Sequence, residues 1–327
     1  MRKSFAAIAA VAALSLTLAG CGGGAGGGAD AADGKGYPES KTIYLVSKGF
    51  QHQFWQAVKQ GALDAGEEAG YKVEFVGPDK ETEVDKQMSM LQTAFDSKPA
   101  AIGFAALDSG AAADLLKKIN DKGVPVVAFD SGVESDIPVT TVQTDNKAAA
   151  GEAAKHLAEL VGNKGKVGLV CHDQVSQTGI QRCDGFMEWM KDNAPDIEVI
   201  TPQYAGDVVK AADAAKAIMQ ANPDIVGMYG TNEAAATGVA QGVDEAGMVG
   251  KLKVVGFDSG KAQIEAIKSG AMAGAVTQAP VLIGSETVKA AIKAIKGESL
   301  PKIIDSGFKW YDATNIEDPE IASNLYE

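Results

Sequence analysis

The sequence predicts an α/β protein whose chain forms two lobes, each a parallel sheet with helices on both faces. Two observations lead to this prediction. Short apolar runs alternate along most of the chain with amphipathic segments of roughly 10 to 18 residues, which is the pattern of repeated strand–helix units. The alternation breaks once near the middle of the chain and then restarts. A chain of 327 residues is long enough to give each of two lobes its own core.

The strands are predicted from short apolar runs. Between them, apolar residues recur every three or four positions, as at Val58, Ala62 and Ala65, and lysines and glutamates fill the other faces. Glycines such as Gly70 follow the helical segments, where glycine can take the left-handed conformation that ends a helix. The predicted strands are Ile43–Ser47, Val73–Val76, Ala101–Ala105, Val124–Phe129, Val167–Cys171, Ile197–Thr201, Ile225–Tyr229, Val254–Phe257 and Ala273–Thr277.

The break in the alternation marks a passage between the lobes. After Asp130 a turn leads to the short β stretch Pro138–Val142 with no helix before it. The next helix is predicted to begin at Asp145, whose carboxylate is a favourable N-cap. We therefore expect one lobe to close near Val142 and the second to begin at Thr144.

The N-terminal residues predict export and a lipid anchor. Arg2 and Lys3 precede an apolar run, residues 8–18, that is too short to span a bilayer. The next four residues, Leu18-Ala19-Gly20-Cys21, are similar to the lipobox of bacterial lipoproteins, in which the signal is cleaved before a lipidated cysteine. We expect a signal peptide at 1–20, then lipidated Cys21 and a flexible tether to residue 40, which would place the protein outside the cytoplasm on the cell membrane. The alternative is an ordinary secretory signal with an incidental cysteine.

Charge and cysteine content limit the possible partners. The net charge of −13 argues against binding to nucleic acid, because the phosphate backbone attracts basic surfaces. Export permits a disulfide between Cys171, at a strand end, and Cys183, in the following helix. The alternative is that both are small buried residues, and the sequence leaves the two open.

No catalytic or cofactor-binding motif is found in the sequence. The P-loop, nucleophile-elbow and zinc-protease patterns are absent, and no Gly-x-Gly-x-x-Gly follows a predicted strand, since the glycine-rich run at 22–28 belongs to the predicted tether. The best metal candidate combines Cys171 and His172 with Asp173 and Cys183, but adjacent strand residues point to opposite sides and one ion would hardly collect both. We therefore expect no catalytic residues, no metal and no cofactor. An exported enzyme on this fold is the alternative that a turnover assay would test.

Polar residues follow the carboxyl ends of several predicted strands, which is where an open parallel sheet places its ligand crevice. One aspartate at such a position is more often a helix N-cap, but repeated occurrence favours a cleft. The first strand is followed by the aromatic pair Phe54–Trp55, and Ser47 ends that strand. The polar residues are Asp130, Ser131, Asn232, Glu233, Asp258, Ser259 and Gln278.

This set of side chains fits a carbohydrate. Carboxylates accept charge-assisted hydrogen bonds from sugar hydroxyls, and amides both donate and accept. Aromatic rings stack on the C–H faces of a sugar. The sequence therefore predicts a ligand with many hydroxyl groups.

Several segments between about Lys41 and about Trp310 resemble the ribose-binding-like, type I solute-binding proteins of sugar ABC importers. They are "HQFWQAVKQGA", "GVPVVAFDSG", "TVQTDN" with "AAAG", "RCDGF", "YGTNEAAATG", "VVGFDSG" and "AVTQAP". The resemblance implies two doubly wound parallel-sheet lobes joined by a three-segment hinge, the type I periplasmic binding protein fold. The implied boundaries are 41–143 plus 279–307 for the N-terminal lobe and 144–278 plus 308–327 for the C-terminal lobe.

The resemblance also implies roles for individual residues. Phe54 and Trp55 form an aromatic platform, and Ser47 is a contact from the first strand. Four positions depart from the family pattern: Ser131 replaces one arginine, a second arginine falls near Ile180, His52 replaces one asparagine, and a second asparagine falls near Ala105–Ala106. Arg182 resembles the family arginine before "xxGF", which is "CDGF" here, either as a ligand contact or as a structural residue. The hydroxyl-binding set is Asp130, Asn232, Asp258 and Gln278.

The function that the resemblance implies is capture of a sugar or polyol for a membrane permease, by a monomer. The alternative is a receptor on the same fold for a non-sugar solute, such as a nucleoside or a signalling molecule, or one that feeds a membrane sensor. The broad ring of Trp55 and the small Ser131 predict a ligand larger than a pentose. Lys48 and His52 are expected to be solvated loop residues, and the alternative is that both reach the cleft and favour an acidic sugar.

Overall fold

The computed structural model describes residues 36–50 and 52–326. The predicted signal peptide and lipidated Cys21 lie outside the described residues, as does most of the predicted tether. Among the described helices, none is both long enough and apolar enough to cross a membrane.

Strands and helices alternate along most of the chain. The first half contains β1 (Thr42–Val46), α1 (Gln53–Ala69), β2 (Lys72–Val76), α2 (Val84–Asp96), β3 (Ala101–Phe104), α3 (Ala113–Asp121), β4 (Val126–Phe129), β5 (Thr140–Gln143) and α4 (Asn146–Leu160). The second half contains β6 (Gly165–Cys171), α5 (Gln177–Asn193), β7 (Ile197–Val199), β8 (Gln203–Tyr204), α6 (Val208–Ala221), β9 (Ile225–Gly230), α7 (Glu233–Glu245), β10 (Lys253–Phe257), α8 (Lys261–Ser269), β11 (Gly274–Gln278), α9 (Pro280–Ile295), β12 (Ile303–Asp305), β13 (Phe308–Asp312) and α10 (Pro319–Ala322).

The strands form two sheets. The first has the order β12-β5-β4-β3-β1-β2, and all its neighbours are parallel. The second has the order β13-β11-β10-β9-β6-β7 with β8 beside β6, and only its edge strand β13 is antiparallel. Because parallel strands need crossover connections, helices cover both faces of each sheet.

Each sheet is the centre of one lobe and carries an apolar core on each face. In the first lobe, α1 and α9 cover one face around Ile43 and Phe129, and α2 and α3 cover the other. In the second lobe, α4 and α5 pack on one face, and α6, α7 and α8 on the other. The two-lobe α/β fold predicted from the alternating pattern is confirmed.

The chain passes between the sheets three times. It does so between β5 and α4, between β11 and α9, and between β12 and β13. Two of these passages touch, because the hydroxyl oxygens of Thr144 and Ser306 are 3.1 Å apart and the N–H of Ser306 donates to the carbonyl of Gln143.

The predicted strands and the predicted N-cap at Asp145 agree with the structure. Every predicted strand is present with ends shifted by a few residues, and the Asp145 carboxylate accepts from the N–H of Ala148 as the predicted N-cap of α4. Cys171 and Cys183 form a disulfide with their Cα atoms 5.9 Å apart, which decides between the two alternatives left open. The short strands β8, β12 and β13 were not predicted, and the two or three residues of β8 and β12 are too few to show a period.

Candidate functional site

The carboxyl ends of the two sheets face each other across a cleft. Loops that follow β1, β2 and β4 form one wall, and loops that follow β6, β9, β10 and β11 form the other. The lobes meet across the cleft, and the cavity left between them has a volume of about 20 Å³. Its lining residues are Lys48, His52, Phe54, Trp55, Glu81, Asp130, His172, Thr178, Arg182, Asn232, Asp258 and Gln278.

Asp130 and Asp258 occupy equivalent positions in the two lobes, each directly after a strand. Both have a left-handed backbone, with φ of 57° at Asp130 and 80° at Asp258. A residue other than glycine adopts this conformation at an energetic cost, although aspartate tolerates it better than most. Both side chains line the cavity and both residues are only 5% exposed.

The Asp130 carboxylate is available to a ligand. Within the described residues, no group donates a hydrogen bond to it, and its side chain faces the cavity. Burial raises the pKa of Asp130 to about 6, although the positive charges of Lys48 and Arg182 oppose the rise. An acceptor that is buried without donors is unfavourable, so a ligand with hydroxyl donors would remove a cost that the closed lobes impose.

The Asp258 carboxylate, in contrast, is held by the protein. One oxygen accepts from the backbone N–H of Glu233 at 2.9 Å and the other from Nε2 of Gln278 at 2.7 Å. The guanidinium of Arg182 lies 3.7 Å away. These contacts fix the orientation of the carboxylate and also place Gln278 against the cavity.

Arg182 and Asn232 combine structural contacts with positions in the cavity wall. The Arg182 guanidinium lies over the ring of Phe257, 3.8 Å from its centroid, and its Nε donates to Oδ1 of Asn146. Asn232 is the N-cap of α7, because its Oδ1 accepts from the N–H of Ala235. The helix-cap alternative therefore applies to Asn232, whose amide also lines the cavity.

Glu81 organises a charged cluster in the first lobe. It accepts from the indole N–H of Trp55 at 2.6 Å and lies 3.8 Å from both Lys48 Nζ and His52 Nε2. Burial acts to raise the pKa of Glu81, but the nearby charges of Lys48 and His52 and the Trp55 bond together lower it. Glu81 is thus kept as an anion inside the closed cleft.

The expectation that Lys48 and His52 are solvated is wrong. Lys48 is 3% exposed and His52 is 8% exposed, and both line the cavity. Lys48 crosses the cleft, since its Nζ donates to Oγ1 of Thr178 at 3.0 Å and approaches Oγ of Ser176, the N-cap of α5. The physical reason is the opposing lobe, which covers loops that would be solvated on an isolated lobe.

Glu233 makes the reciprocal contact from the second lobe to the first. It lies in the first turn of α7, and its Oε1 is 3.9 Å from Nδ1 of His52. Burial raises the pKa of Glu233 to about 8, with contributions from the negative charges of Asp258 and Glu81. Hydrogen bonds from the backbone at the start of α1 oppose the rise. The Oε2 atom is buried with no partner among the described residues, and a neutral carboxyl is buried there at a lower cost than a carboxylate.

The remaining predicted residues divide between the cavity and its surroundings. Phe54 and Trp55 line the cavity and also belong to the apolar core, where the two rings meet edge to face with centroids 5.0 Å apart. Ser47 and Ser131 are fully buried outside the lining. The Ser47 hydroxyl donates to backbone carbonyls, while that of Ser131 has no hydrogen-bond partner within the described chain.

Three lining residues were not predicted as contacts, and Lys48 was predicted there only as an alternative; the three are Glu81, His172 and Thr178. Two of them could have been predicted in the same way as Asp130 and Asp258, from their position after the carboxyl end of a strand. His172 directly follows β6, and Glu81 lies in the loop after β2. Burial lowers the pKa of His172 to about 3, and the ring is therefore neutral. Its Nδ1 is 2.8 Å from Oγ1 of Thr231.

The Cys171–Cys183 disulfide joins the end of β6 to α5, the helix that carries Thr178 and Arg182. It therefore fixes one wall of the cleft.

No group of three or more His, Cys, Asp or Glu side chains in the described part of the chain is arranged to hold a metal ion.

A family model for the periplasmic binding protein domain matches residues 43–299 of the sequence. The chain belongs to this family. The relatives in the family include the D-allose-binding periplasmic protein of Escherichia coli, which is 28% identical over 279 residues that cover 82% of this chain and 89% of that protein. They also include the ribose import binding protein of Bacillus subtilis, which is 27% identical over 306 residues. The match covers 93% of this chain and 97% of that protein.

Two solved sugar-bound structures have a similar fold. A carbohydrate transporter solute binding protein from Agrobacterium radiobacter, in complex with D-arabinose, is 32% identical with a TM-score of 0.84. The match covers 88% of this chain and 99% of that chain. An ABC transporter solute binding protein from Agrobacterium vitis, with bound D-fucose, is 31% identical with a TM-score of 0.83. That match covers 87% of this chain and 100% of that chain.

The raised pKa of Glu233 predicts a pH-dependent stability. Between its usual pKa of 4.5 and about 8, the folded protein holds a proton on Glu233 that the unfolded chain has released. The free energy of unfolding should therefore fall as the pH rises from 6 to 8, by up to about 1.4 kcal/mol per pH unit from this group. Urea unfolding at several pH values measures the free energy of unfolding of the wild type and of Glu233→Gln. The fall between pH 6 and 8 that Glu233 contributes should be absent from the variant. Exposed Glu188→Gln is the control, and equal slopes in the wild type and Glu233→Gln would contradict the prediction.

Proposed function

We propose that this protein is the substrate-binding component of an ABC importer, which captures a monosaccharide-sized, polyhydroxylated solute between its lobes and delivers it to a membrane permease. The relatives named for ribose and allose support this proposal, as do the solved structures with D-arabinose and D-fucose. In this proposal the protein acts as a monomer without enzymatic activity. Lipidated Cys21 anchors it outside the cytoplasm.

The observation that carries the proposal is the unpaired, buried carboxylate of Asp130 at the end of β4. An ionised carboxylate with free lone pairs matches a pair of neighbouring sugar hydroxyls. Phe54 and Trp55 supply apolar faces in the same cavity, and the amides of Asn232 and Gln278 add further donors and acceptors. We propose that these residues contact the sugar together with Asp258, Arg182 and His52.

The charges of the cleft favour a neutral ligand over an acidic one. Lys48 and Arg182 already have protein partners: Lys48 contacts Thr178 and Glu81, and Arg182 contacts Asn146 and lies 3.7 Å from Asp258. The unpaired acceptor in the cavity is a carboxylate, which would repel a uronic acid. The acidic-sugar alternative therefore loses its support, although Lys48 and His52 do reach the cleft.

We expect a ligand larger than a plain pentose. Trp55 lines the cavity with a broader ring than a phenylalanine would supply, and this ring alone carries the expectation, because Ser131 lies outside the cavity lining. A thermal-shift panel of pentoses, hexoses, polyols and uronic acids tests both size and charge, because binding to the folded state alone raises the melting midpoint. A hexose or similar polyol should give the largest shift. The largest shift from ribose would contradict the size argument, one from a uronic acid would contradict the charge argument, and no shift from any sugar would contradict the function.

Asp130→Asn should reduce the affinity for the sugar that the panel identifies while the fold stays intact. Asparagine tolerates the left-handed backbone but loses the charge, and a charge-assisted hydrogen bond contributes about 1.5–3 kcal/mol. Titration calorimetry should show a loss of roughly ten- to hundredfold. Asp145→Asn is the matched control, because asparagine is an equally good N-cap. Affinity of Asp130→Asn within threefold of the wild type would place the ligand elsewhere.

We propose that the lobes open by rotation about the three passages between the sheets, near Gln143–Thr144, Thr277–Ala279 and Ser306–Phe308, with lobe boundaries at the predicted residues. The cavity volume of about 20 Å³ leaves room for about one water molecule, so binding of a sugar requires such a movement. Small-angle scattering should show a smaller radius of gyration with saturating sugar than without it. An unchanged profile would show that the passages do not act as a hinge.

A further inference from the structure

The C-terminal tail, residues 323–326, contacts both lobes. The ring of Tyr326 packs into the core of the first lobe, where it meets Phe54 at a centroid distance of 6.0 Å and an interplanar angle of 66°. Its hydroxyl reaches the second lobe and accepts a hydrogen bond from the backbone N–H of Ser259 at 3.1 Å. Tyr326 is 7% exposed, so that both contacts are sheltered from water.

The second contact lies next to the cavity, at the peptide unit that joins Asp258 to Ser259. The N–H of this unit donates to the Tyr326 hydroxyl, and its carbonyl accepts from the hydroxyl of Tyr311 on β13 at 2.8 Å. Two tyrosine hydroxyls therefore hold the two polar groups of one peptide unit. Asp258 precedes this unit with its left-handed φ of 80°, a conformation that persists only when its surroundings enforce it.

Further hydrogen bonds attach the tail to the same place. The carbonyl of Asn324 accepts from Oγ of Ser259 at 3.2 Å and from Oγ1 of Thr277 at 3.0 Å. The N–H of Tyr326 also donates to the carbonyl of Ser259. Thr277 immediately precedes Gln278, which donates to the Asp258 carboxylate. The tail thus touches the backbone behind two lining residues, Asp258 and Gln278.

We propose that Tyr326 is a positioning residue of the binding site, which orients the Asp258 carboxylate through the Asp258–Ser259 peptide unit and ties that orientation to the aromatic wall at Phe54. This inference rests on the proposed sugar-binding function. Because Tyr326 contacts one lobe with its ring and the other with its hydroxyl, it stabilises the closed arrangement in which Asp258 faces the cavity. It does not itself line the cavity or contact the sugar.

Tyr326→Phe tests the role of the hydroxyl, because it keeps the ring against Phe54 and removes the acceptor for the Ser259 N–H. We expect the dissociation constant for the best sugar of the panel to rise by about two- to tenfold, the equivalent of one neutral hydrogen bond. Amide hydrogen exchange provides a readout that needs no ligand. The Ser259 amide has no other acceptor among the described residues, so its exchange should become faster in the variant.

Leu325→Ala is the matched control in the same tail. Leu325 packs on the core of the second lobe, and its loss should lower the unfolding midpoint without changing sugar affinity or Ser259 exchange. Wild-type affinity in Tyr326→Phe, unchanged Ser259 exchange, or an equal affinity loss in Leu325→Ala would each overturn the positioning role. If the wild type binds no sugar, the proposed function fails, and the exchange measurement still decides whether Tyr326 holds the peptide unit.

Discussion

Burial of carboxylates between the two sheets is the constraint on which the rest of the cleft depends. A carboxylate removed from water must be hydrogen-bonded, paired with a cation or protonated. The closed lobes use each solution: Asp258 accepts hydrogen bonds from the protein, Glu81 faces Lys48, and Glu233 has a raised pKa. Only Asp130 is left without a donor among the described residues, and this is the carboxylate to which we assign the sugar.

The parallel topology explains why these groups meet. Every parallel strand of a sheet ends at the same edge, and the helix that follows it begins there with unpaired N–H groups. Helices α1, α5 and α7 therefore all start at the cleft. Glu233 of the second lobe accepts from backbone N–H groups at the start of α1. Lys48 of the first lobe donates instead to the hydroxyls of Ser176 and Thr178 at the start of α5. Closure thus satisfies groups that an isolated lobe would leave to water.

Rigid support surrounds the residues that face the cavity. The disulfide fixes β6 against α5, and Arg182 is held between Asn146 and the ring of Phe257. The Asp258–Ser259 peptide unit is held from both sides by tyrosine hydroxyls. A side chain that is positioned before the ligand arrives loses little conformational entropy on binding, and this favours affinity. The second lobe therefore offers side chains that are already positioned, and the first lobe offers the Asp130 carboxylate, which has no hydrogen-bond donor among the described residues.

The sequence by itself determined the alternation of strands and helices, the N-cap at Asp145 and the polar residues after the strands, because these depend on local periodicity and on neighbours a few positions away. The same local rule placed Asp130 and Asp258 at the cleft. Only the tertiary structure decided that Lys48 is buried and that Ser131 lies outside the cavity lining. Burial of a loop residue depends on the opposite lobe, and the direction of a side chain depends on backbone torsions that no short stretch of sequence fixes.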